Sequence, residues 1–197
     1  MKLDPRIIRT RRLIDDAFEA LYRTKRVKDI TVNDITATAG INRATFYKHY
    51  QDKFDLFDSY LEARFTTLLQ RHIEEDARLD EDTFYSLIYA SILFVCEWHG
   101  ERYSVPEQSD IIVETRVQHV IFEKIMDWIE PNYRKGPCQV GTEVSATAVS
   151  WAIFGVARRV AEQNASVPID DVSAELVRML SGGLWHTLYS YHMQART

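Results

Sequence analysis

Residues 31–57 read TVNDITATAGINRATFYKHYQDKFDLF, two short helical stretches joined at Gly40 and followed by the opening of a longer helix. Thr31 stands as an N-cap with Asp34 three residues on, a capping box, and Val32, Ile35 and Ala39 recur at the spacing of a face turned toward a core. Asn33, Thr36 and Thr38 are then expected to face outward. Gly40 supplies the left-handed conformation that ends a helix cheaply, and Asn42 is placed to cap a second helix predicted over Arg43–His49. So tight a connection sets two helices at a steep angle, as in a helix-turn-helix reader of duplex DNA.

In the second stretch Phe46 and Tyr50 fall four residues apart and share one face, expected to pack on Ile35 and the preceding helix. The opposite face carries Arg43, Thr45, Tyr47, Lys48 and His49, a concentration of hydrogen-bond donors on barely two turns. Arg43 near the helix start is where a recognition helix approaches base edges, and an arginine grips guanine with two bonds. Thr45 suits a thymine methyl or a phosphate, whereas Thr31, Tyr47, Lys48 and Lys53 suit phosphates, which fix orientation without reading sequence. With Asn42 and Ala44 these residues make up the candidate DNA-binding set. Asp52 is read as the cap of the next helix, with Asp55 at its capping-box position.

A polar face on a small helical unit is also what plain solvation gives, and the charge distribution separates the two readings. Residues 1–54 carry 12 Lys and Arg against 7 Asp and Glu, net +5, while the other 143 carry 12 against 22, net −10. A sequence pI near 5.7 argues against nucleic acid only if the charge is spread evenly, and here the basic part bears the motif.

These residues resemble the DNA-binding signature of the TetR family of bacterial transcriptional regulators, T-V-x-D-I-A-x-x-A-G-V-S-x-G-T-L-Y-x-H-F-x-x-K-x-x-L. The chain follows it at Thr31, Val32, Asp34, Ile35, Ala39, Gly40, Thr45, Tyr47, His49, Lys53 and Leu56. It departs with Asn42 for serine, Ala44 for glycine, Phe46 for leucine and Tyr50 for phenylalanine, swaps that keep a cap, a small residue and buried aromatics. The resemblance is specific over about the first 60 residues and rests on length and helix layout beyond them. It implies a homodimer on a double-stranded DNA operator and a small-molecule effector.

A chain of 197 residues with 46% hydrophobic and 27% charged residues is an ordinary globule of one or two units. Neither a membrane-length apolar run nor a signal-peptide core is present, so a cytoplasmic protein is expected. Cys96 and Cys138 lie outside any metal-type spacing and are read as reduced thiols. His72, His99, His119, His186 and His192 form no helical i, i+4 pair, and no metal or other cofactor is expected. Nucleophile elbows, phosphate loops and paired acids are lacking from the pattern, so an enzyme is not expected. Two rivals stay open: a non-specific DNA-organising protein, and a carrier or enzyme using a C-terminal cavity.

The periodicity is helical throughout, and the fold expected is all-α: a three-helix DNA-binding domain over 1–54, then a helical effector-binding and dimerisation domain over 55–197. Pro5 to Lys25 forms the first helix, whose Arg6, Arg9, Arg11 and Arg12 either touch the DNA backbone or form a solvated face. Asp52 to Arg78 reads as one linking helix, ~27 residues and about 40 Å long. Helices follow up to His99, from Pro106 to before Pro131, over Thr142–Asn164 and over Asp170–Met193, with a loop from Pro131 to Pro137.

Large aromatics crowd the middle helices, and Phe65, Tyr85, Tyr89, Trp98, Phe122 and Trp151 either line an effector cavity or form an aromatic core. In the last two helices Ala148, Ala152, Gly155, Gly182 and Gly183 want a packing reason, because a helical glycine costs ~1 kcal/mol relative to alanine. Close approach of the same helices from a second chain supplies one, with Leu180 and Leu184 beside them; packing within the chain is the alternative.

Overall fold

The computed structural model describes residues 4–100, 108–133, 139–163 and 167–194, with backbone alone at 100, 108–110, 130–133, 139–140 and 183–194. Among the described residues every regular element is helical, as expected. Helix α1, Pro5–Tyr22, starts where the Asp4 side chain accepts from the Arg6 N–H and Pro5 presets the first turn. Its apolar stripe buries Ile14, Ala17 and Phe18. A 3-10 turn, Val27–Asp29, leads to α2, Val32–Ala39, and α3, Arg43–Phe46. Helix α4 runs from Lys53 to His72. Its start is capped by Asp52, whose carboxylate accepts from the N–H groups of Phe54 (2.7 Å) and Asp55 (2.9 Å), while Asp55 reaches back to the Gln51 N–H (2.8 Å).

By internal packing the chain divides into two compact units, Met1–Leu61 with Val105–Ile112, and Glu62–Ser104 with Val113–Thr197. The first unit extends past the division expected after residue 54 because the start of α4 belongs to its core. Phe57 lies 6.2 Å from Phe18 and 6.1 Å from Tyr22 between ring centroids, and Tyr60 stands edge-on to Phe18 at 5.5 Å. Ile30, Ile35, Phe46 and Leu56 complete an interior closed to solvent.

Helix α4 is 20 residues long, not the ~27 expected. Ile73, one residue past its end, is the last buried side chain here, and the Glu74-Glu75-Asp76 run that follows has no apolar face with which to continue a helix.

In the second unit α5, Glu81–Gly100, follows Asp80, whose carboxylate caps the Thr83 N–H at 2.8 Å. It packs against α7, Gln139–Glu162, and α8, Ile169–Gln194, which also meet each other. Phe84, Leu87, Ile88, Ile153 and Ala157 are buried there. Helix α6, Gln108–Tyr133, turns Val113, Val117, Ile121, Ile125 and Ile129 inward, one residue per turn.

Helix α6 passes through Pro131 instead of stopping before it. Pro131 lies two residues before the helix end, so its ring removes one hydrogen bond, to the carbonyl four residues back, and leaves no long helical run beyond it to disrupt. Residues 134–138 of the expected loop, and Pro106, lie outside the described residues. Buried hydroxyls in this unit bond locally: Ser91 donates to Leu87 O (2.7 Å) and Ser173 to Ile169 O (2.8 Å). Ser150 donates to Thr147 O and accepts from the Gln118 amide at 2.8 Å, tying α6 to α7.

Candidate nucleic-acid interface

The capping box at the start of α2 is complete. The Asp34 N–H donates to Thr31 Oγ1 (3.1 Å), while the Asp34 carboxylate accepts from the Thr31 N–H (2.9 Å) and hydroxyl (2.8 Å). Those bonds hold the Asp34 carboxyl below its ordinary pKa. Gly40 closes α2 at φ 67°, ψ 32°, the left-handed region that a side chain makes costly. Asn42 then accepts from the Thr45 N–H at 2.8 Å and opens α3.

Two local expectations need correcting. Thr36 does not face outward: it is buried, its hydroxyl donating back to Val32 O (2.9 Å) and Asn33 O (3.2 Å), so a polar residue sits on the core face with its group satisfied inside the helix. The α-helix expected to run to His49 ends at Phe46. The chain tightens there, with Lys48 N–H on Thr45 O and His49 N–H on Phe46 O, a spacing of three residues.

Phe46 and Tyr50 are buried together, as their spacing predicts. What fixes them is a polar relay onto α1. The Tyr50 hydroxyl donates to Asp15 Oδ1 at 2.6 Å and accepts from Arg11 Nε at 3.0 Å, and Arg11 Nη2 donates to Ser59 Oγ at 2.9 Å. Burial and the Asp15 bond push the Tyr50 phenol up to about 12, and burial raises Asp15 against the pull of the Tyr50 bond and Arg11. Arg11, exposed like Arg6, Arg9 and Arg12, thereby has its Nε and one Nη2 donor committed within the unit. The relay was missed in the sequence, although the i, i+4 spacing of Arg11 and Asp15 on α1 was a usable signal.

With that anchor in place Asn42, Arg43, Ala44, Tyr47 and Lys48 are exposed side by side, and Thr45 and His49 are half-buried. Arg43 Nη2 donates to the Tyr47 hydroxyl at 3.1 Å with its guanidinium 5.8 Å from the ring centroid, so the pair forms one donor surface. The Thr45 hydroxyl donates to Asn42 Oδ1 at 3.0 Å, leaving its methyl as the group free to contact a base.

Lys53 departs from the phosphate role expected of it. Its ammonium donates to the carbonyls of Val27 (3.0 Å), Lys28 (2.8 Å) and Ile30 (2.8 Å), so all three protons are used within the unit. Burial pulls its pKa below the ordinary lysine value.

The six candidate effector aromatics differ in their surroundings. Phe65 is buried with its ring 4.8 Å from Phe94, and Trp98 is buried against the same Phe94 at 6.3 Å. These rings fill core space, which takes precedence over lining a void. Tyr85 and Tyr89 stack at 6.2 Å, with the Tyr85 hydroxyl donating to Asp170; Phe122 is half-buried, and Trp151 is 45% exposed. A cleft of about 610 Å³ does open between α4 and α6, and none of the six lines it.

Of the candidate dimerisation residues, Ala148 and Gly155 are exposed and Ala152 and Leu180 half-buried, while the surroundings of Gly183 and Leu184 lie outside the described residues. Cys96 is a half-buried free thiol raised by burial, and no cluster of potential metal ligands occurs among the described residues.

Two outcomes follow for the anchors. A phenol whose pKa is raised on folding stabilises the fold below its unfolded value near 10, and that contribution disappears as pH rises through about 12. Tyrosine absorbance should therefore show one phenol ionising near pH 12, absent in Tyr50→Phe; losing an ordinary phenol near pH 10 instead would contradict the relay. Lys53→Met should lower unfolding free energy by about 1.5–3 kcal/mol, since three carbonyls lose a charged donor. Its urea midpoint should fall while the salt dependence of DNA binding keeps its slope.

Comparison with known proteins agrees with this geometry. Residues 17–60 match the model of the bacterial regulatory proteins of the tetR family. An uncharacterized HTH-type transcriptional regulator, YxbF, of Bacillus subtilis (strain 168) is 37% identical over 62 residues, a stretch covering 31% of this chain and 16% of that protein's length. A TetR-family regulator from Streptomyces coelicolor has a similar fold, with TM-score 0.54 at 14% identity over 97% of this chain and 85% of its own. The TetR-family repressor AlkX from Dietzia sp. strain DQ12-45-1b gives TM-score 0.53 at 13% identity over 95% and 99%. Motif, geometry and family model converge on residues 17–60, which match the DNA-binding helix-turn-helix segment of the tetR family of bacterial regulatory proteins, and the fold of the chain is similar to that of TetR-family regulators.

Proposed function

We propose that this protein is a homodimeric repressor that binds a palindromic operator and releases it when a small molecule occupies the second unit. The observation that carries the DNA-binding part is the Arg43–Tyr47 pair, exposed at the start of a helix whose opposite face is buried, in the basic part of an acidic chain. Such a helix enters the major groove by its first residues, so Arg43 reads a base and Lys48 and Tyr47 hold flanking phosphates.

Dimerisation finds support in an apolar stripe on α7. Val144, Ala148, Trp151 and Gly155 follow at steps of four, three and four residues, all exposed. On α8 Met179 is 61% exposed, with Gly182 exposed one turn on. A methyl added at Gly155 or Gly182 would meet nothing within 4 Å, so no packing among the described residues explains a helical glycine at either place. A second copy laid on this face does explain them, since small residues let helix backbones approach closely. Such a two-fold assembly sets its recognition helices about one DNA turn (~34 Å) apart, matching a palindrome.

Release is then a population shift. A ligand that prefers a dimer with a different recognition-helix spacing weakens operator binding only by its differential affinity, ordinarily about 1–3 kcal/mol, or roughly 5- to 150-fold.

Selecting bound sequences from a random duplex pool should return a palindrome. On that site Arg43→Ala should cost about 1–3 kcal/mol and relax one base position while leaving random duplex unchanged. Equal loss on random and selected DNA would favour the non-specific DNA-organising reading. Gly155→Leu should shift sedimentation toward monomer with helix content intact; an undisturbed dimer would remove α7 from the interface.

A further inference from the structure

We propose that the cleft between α4 and α6 is the binding site of an organic cation with an apolar body, and that such cations are the effector class of this regulator. Its effector part rests on the repressor reading above, whereas its binding part stands on the second unit alone.

The cleft's volume of about 610 Å³ falls within the range of small-molecule sites. Its apolar lining comes from half-buried Val120 on α6 and from the edges that the otherwise buried Leu69 and Ile73 leave open to the cleft. An apolar ligand body therefore has a surface to cover. The polar lining has one dominant sign: Glu74 and Glu75 lie at the end of α4, and Glu123 and Asp127 one turn apart on α6. None of these four carboxylates has an ion-pair partner among the described residues. A fifth, Glu62, is already paired with Arg116 at 3.1 Å.

The lining holds one lysine, Lys124, and its ammonium lies 5.4 Å from the centroid of the Trp128 ring. A cation resting on a ring face is weakly held there, and it leaves the four carboxylates unneutralised. Like charges gathered around one concave space raise its negative potential and attract a counter-charge. Neutral or anionic ligands gain nothing from that potential. A pure polycation such as spermidine gains from the rim but leaves Leu69, Ile73 and Val120 uncovered. The chemistry that satisfies both halves is a positive charge on a bulky hydrocarbon frame.

Tetraphenylphosphonium and tetraphenylborate share shape and differ in the sign of charge, and calorimetry of the full-length protein without DNA separates them. The phosphonium should bind one per chain, more weakly as salt is raised, and the borate should not. The double variant Glu123→Gln, Asp127→Asn changes only exposed side chains and should weaken phosphonium binding about tenfold while helix content and unliganded DNA binding stay unchanged. Equal binding of the two probes, no phosphonium binding, or undiminished binding by the variant would overturn the site. Spermidine binding as tightly as the phosphonium would overturn the apolar half. A phosphonium that binds yet leaves operator affinity unchanged would overturn the effector assignment and keep the site, and failure to bind DNA at all would count against the repressor reading alone.

Discussion

A helix of four residues has no stability of its own, because forming its first turn fixes more backbone than its hydrogen bonds repay. Helix α3 is such a helix, and its orientation is imposed by what lies behind it. Phe46 is fully buried, and Tyr50 is buried and pinned between Arg11 and Asp15 of α1. The Tyr50 hydroxyl carries one donor and uses it on a carboxylate, while its acceptor side takes a guanidinium proton. Both bonds involve charged partners, the stronger kind of protein hydrogen bond. Exposure of Arg43 and Tyr47 is the reverse side of the same anchoring: with residues 46 and 50 held inward, residues 43, 44, 47 and 48 can only face out.

The same economy governs the cations of the first unit. Arg11 and Lys53 both belong to its basic excess, yet each spends donors within the unit, Arg11 on Tyr50 and Ser59 and Lys53 on the carbonyls of the Val27–Asp29 turn and Ile30. Orphan carbonyls at a short helical turn need donors, and a long flexible ammonium supplies three at once. The charge left for a polyanion is therefore smaller than the formal count, concentrated on Arg43, Lys48 and the exposed arginines of α1. Net charge measures attraction at a distance, and the local hydrogen bonds decide which cations touch the ligand.

Much of this was legible in the sequence, for identifiable reasons. Caps and hinges are local chemistry, so Thr31 with Asp34, Gly40, Asn42 and Asp52 were assigned roles from spacing alone and hold them in the structure. Helical periodicity likewise gave the burial of Phe46 and Tyr50 and the all-α architecture. The errors fall where a side chain reaches an element distant in sequence or satisfies itself locally. Lys53 bonds residues more than twenty positions away, Tyr50 bonds α1, and Thr36 bonds its own helix. Periodicity also does not distinguish a ring that fills a core from one that lines a void, which is why Phe65 and Trp98 were open to both readings. The cleft escaped notice because its residues are ordinary surface acids in the sequence and gain meaning only when two helices place them around one space.

The two exposed helical glycines bear on what the second unit can be as a free molecule. Gly155 and Gly182 each cost their helix ~1 kcal/mol relative to alanine, and space is open where an alanine methyl would stand. A monomer would be more stable with alanine at both positions, so its own packing supplies no reason for glycine there. An approaching helix changes the sign of that comparison, because a methyl at the contact would hold two backbones apart and forfeit many small dispersion contacts along the interface. The flanking exposed apolar groups, Val144 and Trp151 on α7 and Met179 on α8, carry the same implication from the solvation side. Water contact is unfavourable for each, and burying them together recovers roughly 25 cal/mol for every Å² of apolar surface removed from it. Among the described residues, glycines without a packing reason and hydrophobic side chains without a cover lie on the same two helices, and the proposed second copy packed against that face would account for both.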